Sequence, residues 1–185
     1  MKTFGSPIRT SVVLLACIAF LILPCAALLE TPVISTYERQ ISMDLSPDFQ
    51  VTKSVVNTNT SGVISQDITL TSSHQAEGIA LEVMDYYNNI FSRMSPSSII
   101  DLYSSSVISS LEQSGSNEIG TWYTSSSIGQ NVTVHTIRYN NPNNNMNGSS
   151  FDFAFWNIAK DTYVWIISYG PKDITENVIK TLSIK

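Results

Sequence analysis

Carboxylates and imidazoles are the side chains of this 185-residue chain with the most obvious chemistry. Asp44, Asp48, Asp67, Glu82 and Asp85 all fall in its first half. Two carboxyls held on one surface can run acid–base hydrolysis, one giving a proton while the other takes one. Nothing in their spacing fixes such a pair, and no loop carries the D-x-[DN]-x-[DN]-G run of a calcium site. The simpler expectation for all five is a solvated or turn position. The two histidines, His74 and His135, stand 61 residues apart. Neither has a second histidine or cysteine at i+3 or i+4, so a zinc site would need carboxylates from elsewhere. His135 is expected as a sheet residue with a hydrogen-bond partner. No G-x-S-x-G elbow is present, and both cysteines, Cys17 and Cys25, lie in an N-terminal leader, so no nucleophile is set beside a base. No catalytic residue, metal ligand or cofactor-binding residue is therefore assigned, and no cofactor is expected.

The leader has the three parts of a secretory signal. Lys2 and Arg9 supply the basic region, residues 12–23 form an apolar run, and small residues close it at Cys25-Ala26-Ala27. Residues 1–27 are thus read as a signal peptide, residues 28–36 as a linker, and residues 37–185 as one domain. Cleavage, an uncleaved anchor through residues 12–29 with membrane association, and a lipid on Cys25 are three different fates for the leader. Pro24 argues against the last, because lipoprotein signals place a small residue there. The expected location is secreted or extracytoplasmic. A domain without cysteines must be held by its core alone, which this length allows.

Removing Lys2 and Arg9 with the leader leaves eight Lys and Arg against fifteen Asp and Glu, a net charge near −7. That balance argues against a nucleic-acid partner and against charge-driven binding to anionic lipid. Three N-x-[ST] acceptors, Asn59, Asn131 and Asn147, fall in or beside expected loops of an exported chain, making them candidate N-glycosylation sites.

The elements that position these residues are read from periodicity. FDFAFW at 151–156 and YVWIISY at 163–169 are apolar on both faces, so they belong in the middle of a sheet covered above and below. Gly170-Pro171 then ends the strands. Asp173 with Glu176 three residues on predicts a capping box, and Ile174, Val178, Ile179 and Leu182 form the stripe of a covering helix. Ser95-Pro96 predicts an earlier helix with Ile99, Leu102, Tyr103, Val107 and Leu111 inward and Gly115 as a left-handed cap. Strands are expected over 37–45, from Phe49 through Val56, and over 63–71, 78–87, 119–124 and 132–139, with polar turns at 57–62 and 140–150. Trp122, Tyr123, Trp156, Trp165 and the three phenylalanines of 151–155 are expected mainly as core.

Strands, helix, strands, helix without βαβ regularity indicate an α+β layer structure. ISMDLSPDFQV at 41–51 resembles the opening strand and Pro-Asp-Phe turn of PsbP/Mog1-like domains, and YVWIISYGPKDITENVIKTLSI at 163–184 resembles their last strand and helix. The resemblance implies an α/β/α sandwich with a mainly antiparallel sheet and two principal helices. It also implies accessory and binding roles, as in photosystem assembly factors, a nuclear-transport regulator and exported relatives of unknown function. The function expected is a non-catalytic extracytoplasmic accessory or binding domain for an unknown protein or small ligand. A structural or adhesive surface protein glycosylated on its loops, and a carboxylate-based hydrolase, are the alternatives.

Overall fold

Period-2 patterning organises the molecule into two antiparallel meanders. The computed structural model describes residues 39–59, 63–73, 77–86, 93–140 and 147–185. The leader, the linker and His74 lie outside these described residues. After a short β1 (Ile41–Ser42), strands β2 (Phe49–Asn59), β3 (Val63–Ser72) and β4 (Gly78–Tyr86) form the first meander. Helix α1 (Pro96–Gln113) carries the chain to the far edge of the sheet. There β5 (Asn117–Ser125), β6 (Asn131–Arg138), β7 (Ser150–Ala159) and β8 (Thr162–Tyr169) work back inward until β8 pairs β4. The result is a seven-stranded antiparallel sheet in the order β2-β3-β4-β8-β7-β6-β5. Helix α2 (Lys172–Thr181) follows, and β9 (Ser183–Ile184) pairs β1 as a separate two-stranded ribbon. The fold class is α+β.

The two helices use opposite faces. On one, Ile79, Leu81 and Val83 of β4, Ala154, Trp156 and Ile158 of β7, and Val164 and Ile166 of β8 bury themselves against Val178, Ile179 and Leu182 of α2 and its C-cap. On the other, Phe155 of β7 stacks on Tyr103 of α1 with ring centroids 4.2 Å apart. β7 and β8 therefore need apolar residues at consecutive positions, and each contributes at most one half-buried residue between its end residues.

Helix α1 starts where its sequence predicts. The Ser95 hydroxyl accepts the Ser98 amide at 3.2 Å, Pro96 occupies the first turn, and Gly115 adopts φ +93° just past the C-cap. Leu102 departs from the expected stripe, being 49 % exposed while Ile99 and Leu111 are buried. It sits one position before Tyr103, the residue that turns onto Phe155. Helix α2 corrects the capping-box expectation. It begins at Lys172, with Pro171 at the cap and no side-chain cap bond, so Asp173 lies inside the first turn. There it acts only as an anion on the positive helix end. Glu176 reaches forward instead, accepting from Lys180 at 2.5 Å.

Two strand expectations are also corrected. Of the strand expected over 37–45, the described residues 39–45 form strand only at Ile41–Ser42, and Ile41, Met43 and Leu45 pack half-buried against the α2-side core. Residues 57–59 are not a turn but the end of β2, which keeps its pairing with β3 to Asn59↔Val63. An edge strand can carry such polar residues because one of its sides faces water.

Candidate functional site

A row of facing residues crosses the sheet on the face opposite α2. Val55 of β2 stands opposite Asp67 of β3, Asp67 opposite Glu82 of β4, Glu82 opposite Trp165 of β8, and Trp165 opposite Phe155 of β7. Directly opposed residues in an antiparallel pair hold their Cβ atoms about 5 Å apart, so the row is a continuous surface. The Trp165 indole N–H donates to Glu82 Oε2, and Asn57 Nδ2 donates to Asp67 Oδ2 at 2.7 Å. Ser65 and Asp67 also hydrogen-bond Glu82.

Burial pushes the Glu82 carboxyl above its ordinary range. The Ser65 and Trp165 hydrogen bonds oppose that rise, while the charge and hydrogen bond of Asp67 add to it. An aromatic line borders the acid pair. Phe155 stacks on Tyr163 with centroids at 5.5 Å, and Tyr163 meets Tyr86 edge to face at 5.4 Å. Burial raises both phenols, with Glu82 contributing further at Tyr86 and Asp161 at Tyr163. The row thus runs from an exposed valine, 38 % accessible, through two carboxyls to a half-buried tryptophan.

Of the five carboxylates singled out from sequence, the structure brings together Asp67 and Glu82. Asp85 lies on the α2 face, where Arg39 holds it through Nε at 2.9 Å and Nη2 at 2.7 Å, and Thr162 donates to it at 2.6 Å. Asp44 and Asp48 sit in the exposed link between β1 and β2, where the Asp48 side chain meets Ser46 and the Asp44 amide meets Thr181 Oγ1. His135 is a sheet residue with a partner, its Nδ1 2.6 Å from Glu118 Oε1. Asn131 and Asn147 are exposed, at the start of β6 and in the turn before β7. Asn59 ends β2, and its side chain is outside the described set. Tyr123 is 71 % exposed and Trp122 and Trp165 are half-buried, whereas Trp156 and the three phenylalanines are core. Among the described residues no group of three or more His, Cys, Asp or Glu is placed to hold a metal.

Sequence reading missed Asn57, Ser65 and the role of Trp165 as a donor. Each is set by strand pairing, Asn57 by β2–β3, Ser65 by β3–β4 and Trp165 by β4–β8, and no local pattern in the sequence gives those registers. It also missed Asp152, a buried carboxylate under the first turn of α2 that accepts from Thr136 at 2.7 Å and from Thr175 at 3.0 Å. No family model, no curated protein and no solved structure matches this chain.

Proposed function

We propose that the chain is a non-catalytic, extracytoplasmic accessory or binding domain of the PsbP/Mog1-like type, an α/β/α sandwich that presents the Asp67–Glu82–Trp165 row to a partner. The observation that carries this reading is that the acid pair is held in place from within, since Asn57, Ser65 and Trp165 all donate to it, while further carboxyl lone pairs stay open to a partner. A carboxyl committed to neighbouring side chains is a fixed acceptor surface more than a proton shuttle, which needs free reach to a substrate atom. The partner that fits brings hydrogen-bond donors to the carboxyls and apolar surface to Val55 and Trp165. The leader supports delivery outside the cytoplasm.

Two measurements test this. Fractionation of cells expressing the full chain should recover it outside the cytosol, and recovery of leader-free protein in the cytosol would sink the reading. Amide shift mapping against extracts of the same compartment should perturb Asn57, Asp67, Glu82 and Trp165 together, and Trp165→Ala should abolish those shifts. Perturbation confined to other surfaces would reject the row as the binding face.

A glycosylated surface protein is a second reading, favoured by the exposure of Asn131 and Asn147. It requires a mass loss on glycosidase treatment that Asn131→Gln and Asn147→Gln each reduce. An unchanged mass removes it.

A further inference from the structure

A cavity of about 370 Å³ opens at the α2 end of the sheet, away from the acid row, and is lined in part by Arg39, Ile128, Ile158, Ala159, Leu182 and Ile184. Its inner wall is apolar: Ile158 and Leu182 belong to the buried core, and Ile184 packs against it from the β1–β9 ribbon. Its outer wall is the β5–β6 turn. That turn is pinned to the end of α2 by the Ser127 amide on Ile179 O at 3.1 Å and the Ser127 hydroxyl on Leu182 O at 2.5 Å. Because the wall is tied by hydrogen bonds, the cavity is preformed, and its volume lies at the small end of ligand pockets.

Among the described residues, Arg39 is the one charged side chain that lines the cavity, in a chain whose net charge is −5. Arg39 spends Nε and Nη2 on Asp85, and its Nη1 has no partner among the described residues. Lys160 lies in the β7–β8 turn between the lining residues Ala159 and Thr162. Lys185 is paired through its backbone with Gln40, the neighbour of Arg39, in both directions at 3.0 and 3.2 Å. Asp161 follows Lys160 in the β7–β8 turn, and Asp85 is already held by Arg39. Ile128, 57 % exposed, adds an apolar lip.

We propose that this cavity binds an apolar monocarboxylate of medium chain length, with its tail against Ile158, Leu182 and Ile184 and its head at Arg39 Nη1, near the positive charge that Lys160 brings beside the lining residue Ala159. A guanidinium N–H donating to a carboxylate is a strong contact when the rest of the ligand is shielded from water, and the tail replaces water on apolar walls. The volume, equal to about a dozen waters' share of liquid water, accommodates an eight-carbon acid such as octanoate. This site is separate from the acid–aromatic row, so its failure would leave the Proposed function standing.

The test is calorimetric titration of the full chain with octanoate, with octanol and acetate as the tail-only and head-only probes. Octanoate should bind about tenfold more tightly than octanol, the difference expected of one good charged contact, and acetate should not saturate. Ala159→Trp, at an exposed rim position, should fill the mouth and abolish binding. Lys160→Glu should weaken octanoate severalfold and leave octanol unchanged. Both variants avoid the Arg39–Asp85 pair and should keep the native amide spectrum. Octanol binding as tightly as octanoate overturns the assignment, as does octanoate affinity unchanged by Ala159→Trp or the absence of any octanoate heat.

Discussion

Asp67 and Glu82 stand directly opposite one another across β3 and β4, and Glu82 is the member that burial drives toward its protonated form. Its carboxyl is held up in the folded chain relative to 4.5, the ordinary value that an unfolded chain would show. Between those two pKa values the native state carries the extra proton. The stability that proton represents is therefore complete below about 4.5 and lost as pH rises through the folded value.

Thermal unfolding followed across the acid range should accordingly show a melting temperature that falls as pH rises through this window, and Glu82→Gln should flatten that slope. At neutral pH the glutamine variant should gain roughly 0.5–1.5 kcal/mol, because its amide donates to Asp67 while still accepting from Trp165. A variant that melts lower than wild type at pH 7 would show that the ionised carboxylate is the form the row requires.

Arg39 and Asp85 form the contact that ties the start of the described chain to β4. The Asp85 side chain is 12 % accessible and that of Arg39 36 %, so the pair lies between a surface and a buried bridge. Arg39→Met should cost about 1.5–3 kcal/mol, the worth of a hydrogen bond to a charged group. Asp85→Asn in the same background should recover part of it by removing the stranded charge. Denaturant midpoints of the two singles and the double give the coupling directly, and additive losses would mean the two side chains act independently.

Gly170 marks the exit from β8 with φ +128°, where a Cβ would meet Ile174 Cδ1 at 3.0 Å and Glu77 Cγ at 3.1 Å. Backbone conformation and space both exclude a side chain there. Gly170→Ala should cost about 1–3 kcal/mol, read as a lower urea midpoint with an unchanged slope. A neutral result would mean that the β8–α2 corner rearranges freely.

Trp156 is 1 % exposed in the core against α2, and its indole N–H has no partner among the described residues. Trp156→Phe removes that N–H together with some volume, two effects of opposite sign, and should stay within about 1.5 kcal/mol of wild type. Trp156→Ala should cost about 3–5 kcal/mol. Equal losses for the two would point to a hydrogen bond made by the indole.

The centre of the fold was legible because β7 and β8 advertise burial at successive positions, and β8 is indeed the fourth of seven strands. Ser95-Pro96 was equally plain, since a cap and its proline are local. What failed was local reading of residues whose state is decided at a distance. The alternation of Ile41, Met43 and Leu45 serves contact with the α2-side core, not pairing in the sheet. The polar end of β2 extends because β3 supplies its backbone partners as far as Asn59. Asp173 looked like a cap because spacing alone cannot say that Lys172 is already helical. The Asp67–Glu82–Trp165 row was hidden for a related reason: its first pair depends on a hairpin register, and its second on a β4–β8 pairing that no neighbouring residues announce.

That same β4–β8 pairing has a consequence for how the polypeptide is made. A chain emerging from its N-terminal end completes β2, β3 and β4 long before Thr162–Tyr169 exists to cover the free side of β4. Until then Ile79, Leu81 and Val83 belong to an unprotected strand edge, the kind of surface that recruits wrong partners. Ordering of the nascent protein is thus withheld to its final eighth, which favours a holding chaperone during synthesis.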